Sequence, residues 1–76
     1  MKLSKAAEAV LSVCWENDQP RNTNFVIDNT YNVNGETIKT TEDTYEELVN
    51  YQPESSKPYK VERFGNTVNV MGGRLN

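Results

Sequence analysis

The sequence predicts an α+β domain with the element order α-β-β-α-β-β, a two-layer sandwich in which a four-stranded antiparallel sheet carries both helices on one face. Three observations predict it. Residues 3–16 and 42–51 repeat apolar side chains at three- and four-residue intervals, the period of an amphipathic helix. Asn34-Gly35 and Gly65-Asn66 each interrupt stretches rich in β-branched and aromatic residues, the signature of a hairpin turn. The chain has 76 residues, which allows one domain at most. Residues 1–76 therefore read as a single small domain, with 72–76 as a frayed tail. A second arrangement is two loosely joined α-β-β halves that complete a sheet by dimerising, which makes a homodimer one expectation.

In the first helix, Leu3, Ala6, Ala7, Val10, Val13 and Cys14 share a stripe, and Lys5, Glu8, Ser12 and Glu16 lie opposite. Ser4 can cap it, because its hydroxyl can accept from a free amide of the first turn. "NDQPRNTN" ends it: proline cannot continue a helix, and Asn and Asp side chains compete for the backbone. Trp15 sits at the stripe's edge, as a core lid or a contact anchor.

Residues 24–33 read as one strand, turned at Asn34-Gly35 onto 36–39. A two-residue loop sets Val33 opposite Glu36, Asn32 opposite Thr37 and Tyr31 opposite Ile38. Phe25, Ile27, Tyr31 and Ile38 then share the core face. In the second helix, Tyr45, Leu48 and Val49 supply the apolar stripe. Thr44 with Glu47, or Thr40 with Asp43, fits a capping box. The last hairpin pairs 59–64 with 67–71, setting Phe64 opposite Thr67, Arg63 opposite Val68 and Val61 opposite Val70. The expected core is Ala7, Val10, Cys14, Phe25, Ile27, Tyr31, Ile38, Leu48, Val49, Tyr59, Val61, Val68 and Val70.

Several chemistries are disfavoured. The chain has no histidine, the commonest general base and metal ligand. Its one cysteine, Cys14, can form neither an intramolecular disulfide nor a zinc site, and it lies on the apolar stripe. The acid pairs Glu42/Glu46 and Asp43/Glu47 stand on a short exposed helix, not in a cleft that could separate their pKa values. No glycine pattern cradles a phosphate. The expectation is no enzyme, no cofactor and no metal. No apolar run is long enough to span a membrane, and the N-terminal stretch is interrupted by Lys5 and Glu8, unlike a signal peptide. The expected location is the cytoplasm.

Net charge is −3, unevenly spread. Residues 42–54 carry Glu42, Asp43, Glu46, Glu47 and Glu54 with no base; residues 55–76 carry Lys57, Lys60, Arg63 and Arg74 against Glu62. Negative charge in a first helical turn suits the helix dipole, which explains part of the acidic cluster structurally. The remainder could dock a basic partner, because carboxylates along a helix present the charge and acceptor oxygens that a phosphate groove receives. The expected contact is Glu42, Asp43, Tyr45, Glu46, Glu47 and Glu54. The alternative is a nucleic-acid surface of Lys57, Lys60, Arg63, Phe64 and Arg74, a basic hairpin with an aromatic at its tip. Edge-strand lysines that discourage sheet pairing explain the same cations structurally.

Elimination leaves a small non-catalytic binding module that covers a site on a larger protein, such as a nucleic-acid-handling enzyme. Compact, histidine-free, pocketless chains of this kind are what a bacteriophage uses to inhibit or modulate a host enzyme or defence complex. That expectation is analogy with a class of small proteins.

Overall fold

The computed structural model describes residues 3–52 and 56–73. The first helix, α1, spans Lys5–Cys14 and is shorter at both ends than its apolar pattern. Ser4 is its N-cap, as expected: the Ala7 amide donates to Ser4 Oγ at 3.3 Å. Ala6, Ala7, Val10 and Cys14 form its buried stripe. The helix stops because the chain turns at once into a small hairpin, β1 (Trp15–Glu16) paired with β2 (Gln19–Pro20). Asn17 and Asp18 between them both take left-handed backbone angles, φ 54° and 59°. Short Asn and Asp side chains tolerate the two positive φ angles that a type I′ turn needs. From the sequence, "NDQPRNTN" marks only the end of the helix.

Five longer elements and a helix follow: β3 (Asn22–Val26), β4 (Asn29–Val33), β5 (Glu36–Thr40), α2 (Glu42–Tyr51), β6 (Tyr59–Phe64) and β7 (Thr67–Gly72). All pairings are antiparallel. The expected registers hold: Tyr31 lies opposite Ile38, and Val61 opposite Val70. The four-stranded sheet does not form. The strands divide into a three-stranded sheet ordered β3-β7-β6, the separate β4-β5 hairpin, and the short β1-β2 pair.

The cause is a break in the strand expected over 24–33. Asp28 adopts φ 62°, so the chain turns a corner after Ile27. Thr40 holds that corner. Its buried hydroxyl donates to the Val26 carbonyl at 2.6 Å and lies 3.2 Å from that of Asn29, while its own carbonyl accepts from the Asp28 amide. Tyr31 adds a second tie, its hydroxyl accepting from the Val26 amide at 2.9 Å. Thus β3 leaves the first hairpin and aligns on β7, with Phe25 opposite Val68. The Ile27 amide extends that ladder to the Asn66 carbonyl at 2.8 Å.

Each helix packs one face against its neighbours. α1 lies against β3, β7 and β5; α2 lies against α1 and β5. Ala7, Val10, Cys14, Phe25, Ile27, Leu48, Tyr59, Val68 and Val70 make the core. Tyr31 and Val61 are half-buried at its margin, and Ile38 is buried. Val49 is the clear departure, 40 % exposed. In α2 the buried stripe follows Thr44 and Leu48, one turn apart, so the next residue points about 100° away from it. The capping box also moves. Thr41 is the N-cap, and the Thr44 hydroxyl accepts from the Thr41 amide at 3.0 Å, instead of Thr44 pairing with Glu47 or Thr40 with Asp43.

β7 runs into the expected tail, through Gly72, and the Gly73 amide bonds to the Pro58 carbonyl at 2.7 Å. Gly72 is buried in β7, where a Cβ would run into the Cys14 carbonyl oxygen and sit 3.0 Å from the Arg21 amide. Residues 74–76 lie outside the described residues. Among the described residues no helix is long and apolar enough to cross a membrane.

Candidate functional site

α2 sorts its four carboxylates into two kinds. Glu42 stands in the first turn and meets Arg63 of β6 in a bidentate pair, Nη1 to Oε1 at 2.7 Å and Nη2 to Oε2 at 2.9 Å. Parallel hydrogen bonds of this sort suit the planar guanidinium. Bonding to Arg63 holds the Glu42 carboxyl below its ordinary value of 4.5. The guanidinium also lies 5.0 Å from the Tyr45 ring centroid, where the ring's negative face attracts it. Glu47 is half-buried and accepts the Ser4 amide at 3.0 Å, which closes the N-terminus of α1 onto α2. These two acids are engaged within the fold.

Asp43 and Glu46 have no ion pair or hydrogen bond among the described residues, and both are exposed. Val49 and Asn50 are exposed beside them on the same helix. Tyr45, half-buried, borders this side and is fixed from beneath by Arg63. Of the expected partner-binding residues, Asp43, Tyr45 and Glu46 therefore keep a free side. Glu42 and Glu47 are engaged internally, and Glu54 lies outside the described residues. Val49 belongs to this surface, although its spacing of four from Tyr45 predicts a place on the buried stripe.

The basic hairpin is divided differently. β6 alternates, so Arg63 points inward to Glu42 while Lys60, Glu62 and Phe64 share the outer face of the sheet. Lys60 pairs with Glu62 at 3.4 Å on that face. Lys57, in the loop before β6, pairs with Asp18 at 2.9 Å and holds that carboxyl below its ordinary value. The three described cations thus stand in three places, each against a carboxylate. Arg74 lies outside the described residues. Phe64 is 65 % exposed and stands at the tip as expected.

The remaining chemistry-bearing groups are structural. Cys14 is fully buried, and burial pushes its thiol up to about 11, so it stays protonated and unreactive near neutral pH. Tyr59 is also fully buried, and its hydroxyl donates to the Leu48 carbonyl in the last turn of α2. Burial pushes its phenol up to about 12. Trp15 donates Nε1–H to the Pro58 carbonyl at 2.9 Å, which makes it a strut between β1 and the chain entering β6.

An apolar groove of about 170 Å³ opens between α1 and the two strands that part at Asp28, lined by Val10, Val13, Phe25, Tyr31 and Ile38. It exists because β4 leaves β3, so a straight strand over 24–33 would have hidden it. Among the described residues no three acids or thiols converge as a metal site. Compared with known proteins, the chain matches no family model, no curated protein and no solved structure.

Proposed function

We propose that the chain is a small non-catalytic protein-binding module that presents the exposed side of α2 to a basic site on a larger protein. One observation carries this reading. Asp43 and Glu46 stand uncompensated beside Val49 on a helix whose other carboxylates, Glu42 and Glu47, are tied into the fold. The Arg63–Tyr45–Glu42 contact holds that side in one geometry, which lowers the entropy lost on docking. Flanking an apolar centre with charge favours selective, electrostatically steered association. The narrower expectation, inhibition of a host enzyme or defence complex by a bacteriophage protein, keeps its footing in the class analogy and concerns who the partner is.

The test is capture from a bacterial lysate with immobilised protein, followed by mass spectrometry. Asp43→Lys with Glu46→Lys should abolish the specific capture while leaving the circular dichroism spectrum unchanged. Unchanged capture by this variant refutes the α2 reading. Nucleic-acid binding through the second hairpin has Phe64 in its favour, but its described cations are dispersed and paired. A gel shift at low salt that disappears with Lys60→Glu and Arg63→Glu would favour that reading instead.

A further inference from the structure

We propose that Asn34 is a site of spontaneous covalent modification, losing its side-chain amide to attack by the Gly35 nitrogen, and that Asn32 sets the rate. Of the chain's asparagines only Asn34 is followed by glycine. Glycine matters here because it carries no side chain to shield its own nitrogen. Both residues are exposed at the tip of the β4-β5 hairpin, and nothing lies within 4 Å of where a Gly35 Cβ would stand. Water and base therefore reach the pair. The other hairpin turns differ. Asn66 precedes Thr67, a β-branched residue within β7, and Asn17 precedes Asp18. Gly65-Asn66 uses the same two residue types in reverse order, so it lacks the reactive sequence.

The reaction needs only water and base. The Gly35 nitrogen gives up its proton to base and attacks Asn34 Cγ. The new N–Cγ bond closes a cyclic imide, the Cγ–Nδ2 bond breaks, and Nδ2 leaves as ammonia. Water then opens the ring at Cγ, leaving an aspartate at position 34, or at the backbone carbonyl carbon, leaving an isoaspartyl link that runs the main chain through Cβ and Cγ. Asn32 acts on the first step. The Gly35 amide donates to Asn32 Oδ1 at 3.2 Å. That bond holds the proton that must leave, and it ties the nitrogen to the turn, with φ 53° at Asn34 and 83° at Gly35. The acceptor stands on an exposed side chain, so it slows the reaction without stopping it. Either product alters the hairpin. A carboxylate at position 34 joins Lys5, Glu8 and Glu36 around one shallow surface, where Lys5 already pairs with Glu36 at 3.4 Å. The isoaspartyl link adds a methylene to the two-residue turn that sets Val33 opposite Glu36, so it loosens that register. The exposed side of α2 takes no part, so this inference stands apart from the docking reading.

The full chain is incubated in mildly alkaline buffer at body temperature and followed by intact mass and by fragmentation of its proteolytic peptides. The wild type should gain the mass difference between OH and NH2, confined to position 34, together with an isoaspartyl-specific methylation signal. Asn34→Gln, whose longer side chain closes its ring far more slowly, should stay unchanged. Asn32→Ala should react about two- to tenfold faster, the factor that one hydrogen bond is worth. Asn32→Asp, which keeps an acceptor oxygen, should not exceed the wild-type rate. In denaturant the wild type and Asn32→Ala should react equally fast, because the Asn32 bond belongs to the folded turn; circular dichroism checks that each variant is folded in buffer. A folded wild type that stays unmodified while the denatured chain reacts overturns the proposal, as does earlier conversion at another asparagine. Equal rates for folded wild type and folded Asn32→Ala overturn the role given to Asn32.

Discussion

α2 and the β6-β7 hairpin carry opposite charge, and they differ in how much of it the fold consumes. The described cations of the hairpin and the loop before it all meet carboxylates: Lys57 with Asp18, Lys60 with Glu62, Arg63 with Glu42. Two of the four acids of α2, Asp43 and Glu46, meet none among the described residues. A charge map drawn from the sequence would make these regions equal and opposite binding faces. Between these two regions, the described cations clamp the hairpin to its surroundings, and the surplus charge among the described residues lies on the helix. Local charge density is therefore a poor guide to a docking face until the internal pairs have been subtracted.

The sharpest way to break this arrangement is at the core contact beneath α2. Leu48 is fully buried, and Leu48→Ala should cost about 2–5 kcal/mol, measured by denaturant unfolding. Gly72→Ala attacks the far end of the hairpin. The added methyl meets the Cys14 carbonyl, and the strain should cost about 1–3 kcal/mol. Tyr59→Phe removes the hydroxyl that ties β6 to the Leu48 carbonyl and should cost about 1–2 kcal/mol.

Smaller effects sharpen the division between structural and free acids. The Glu42 carboxyl is held below its ordinary value, so its contribution is present above pH 4.5 and is lost as pH falls through its lower folded value. Glu42→Gln should reduce the acid dependence of the melting temperature below that pH. Asp43→Lys with Glu46→Lys should leave stability within about 0.5 kcal/mol, since neither side chain has an internal partner to lose. A large loss from that last pair would show that these acids are structural too.

Much of the local structure was legible in the sequence. Two-residue turns fix pairing geometrically, so both hairpin registers could be read from Asn34-Gly35 and Gly65-Asn66. Ser4 and the span of α2 were legible from side-chain chemistry and period. The division of the sheet was not. It depends on Thr40 bonding across to Val26, fourteen positions away, and on Asp28 accepting a left-handed conformation. Of the candidate site, the acidic patch was visible, but its engaged half was not. Glu42 finds Arg63 at a distance of 21 positions and Glu47 finds Ser4 at 43, so only the folded chain reveals them. Val49 was misplaced because an apolar residue next to a buried leucine looks like core when the helix orientation is unknown.

The most direct measurement compares charge reversal on the two regions under identical capture conditions. Wild type, Asp43→Lys/Glu46→Lys and Lys57→Glu/Lys60→Glu are immobilised and exposed to one bacterial lysate. Binding through α2 requires that the proteins retained by the wild type persist on the hairpin variant and vanish from the helix variant. Retention on the helix variant, with loss on the hairpin variant, would contradict it.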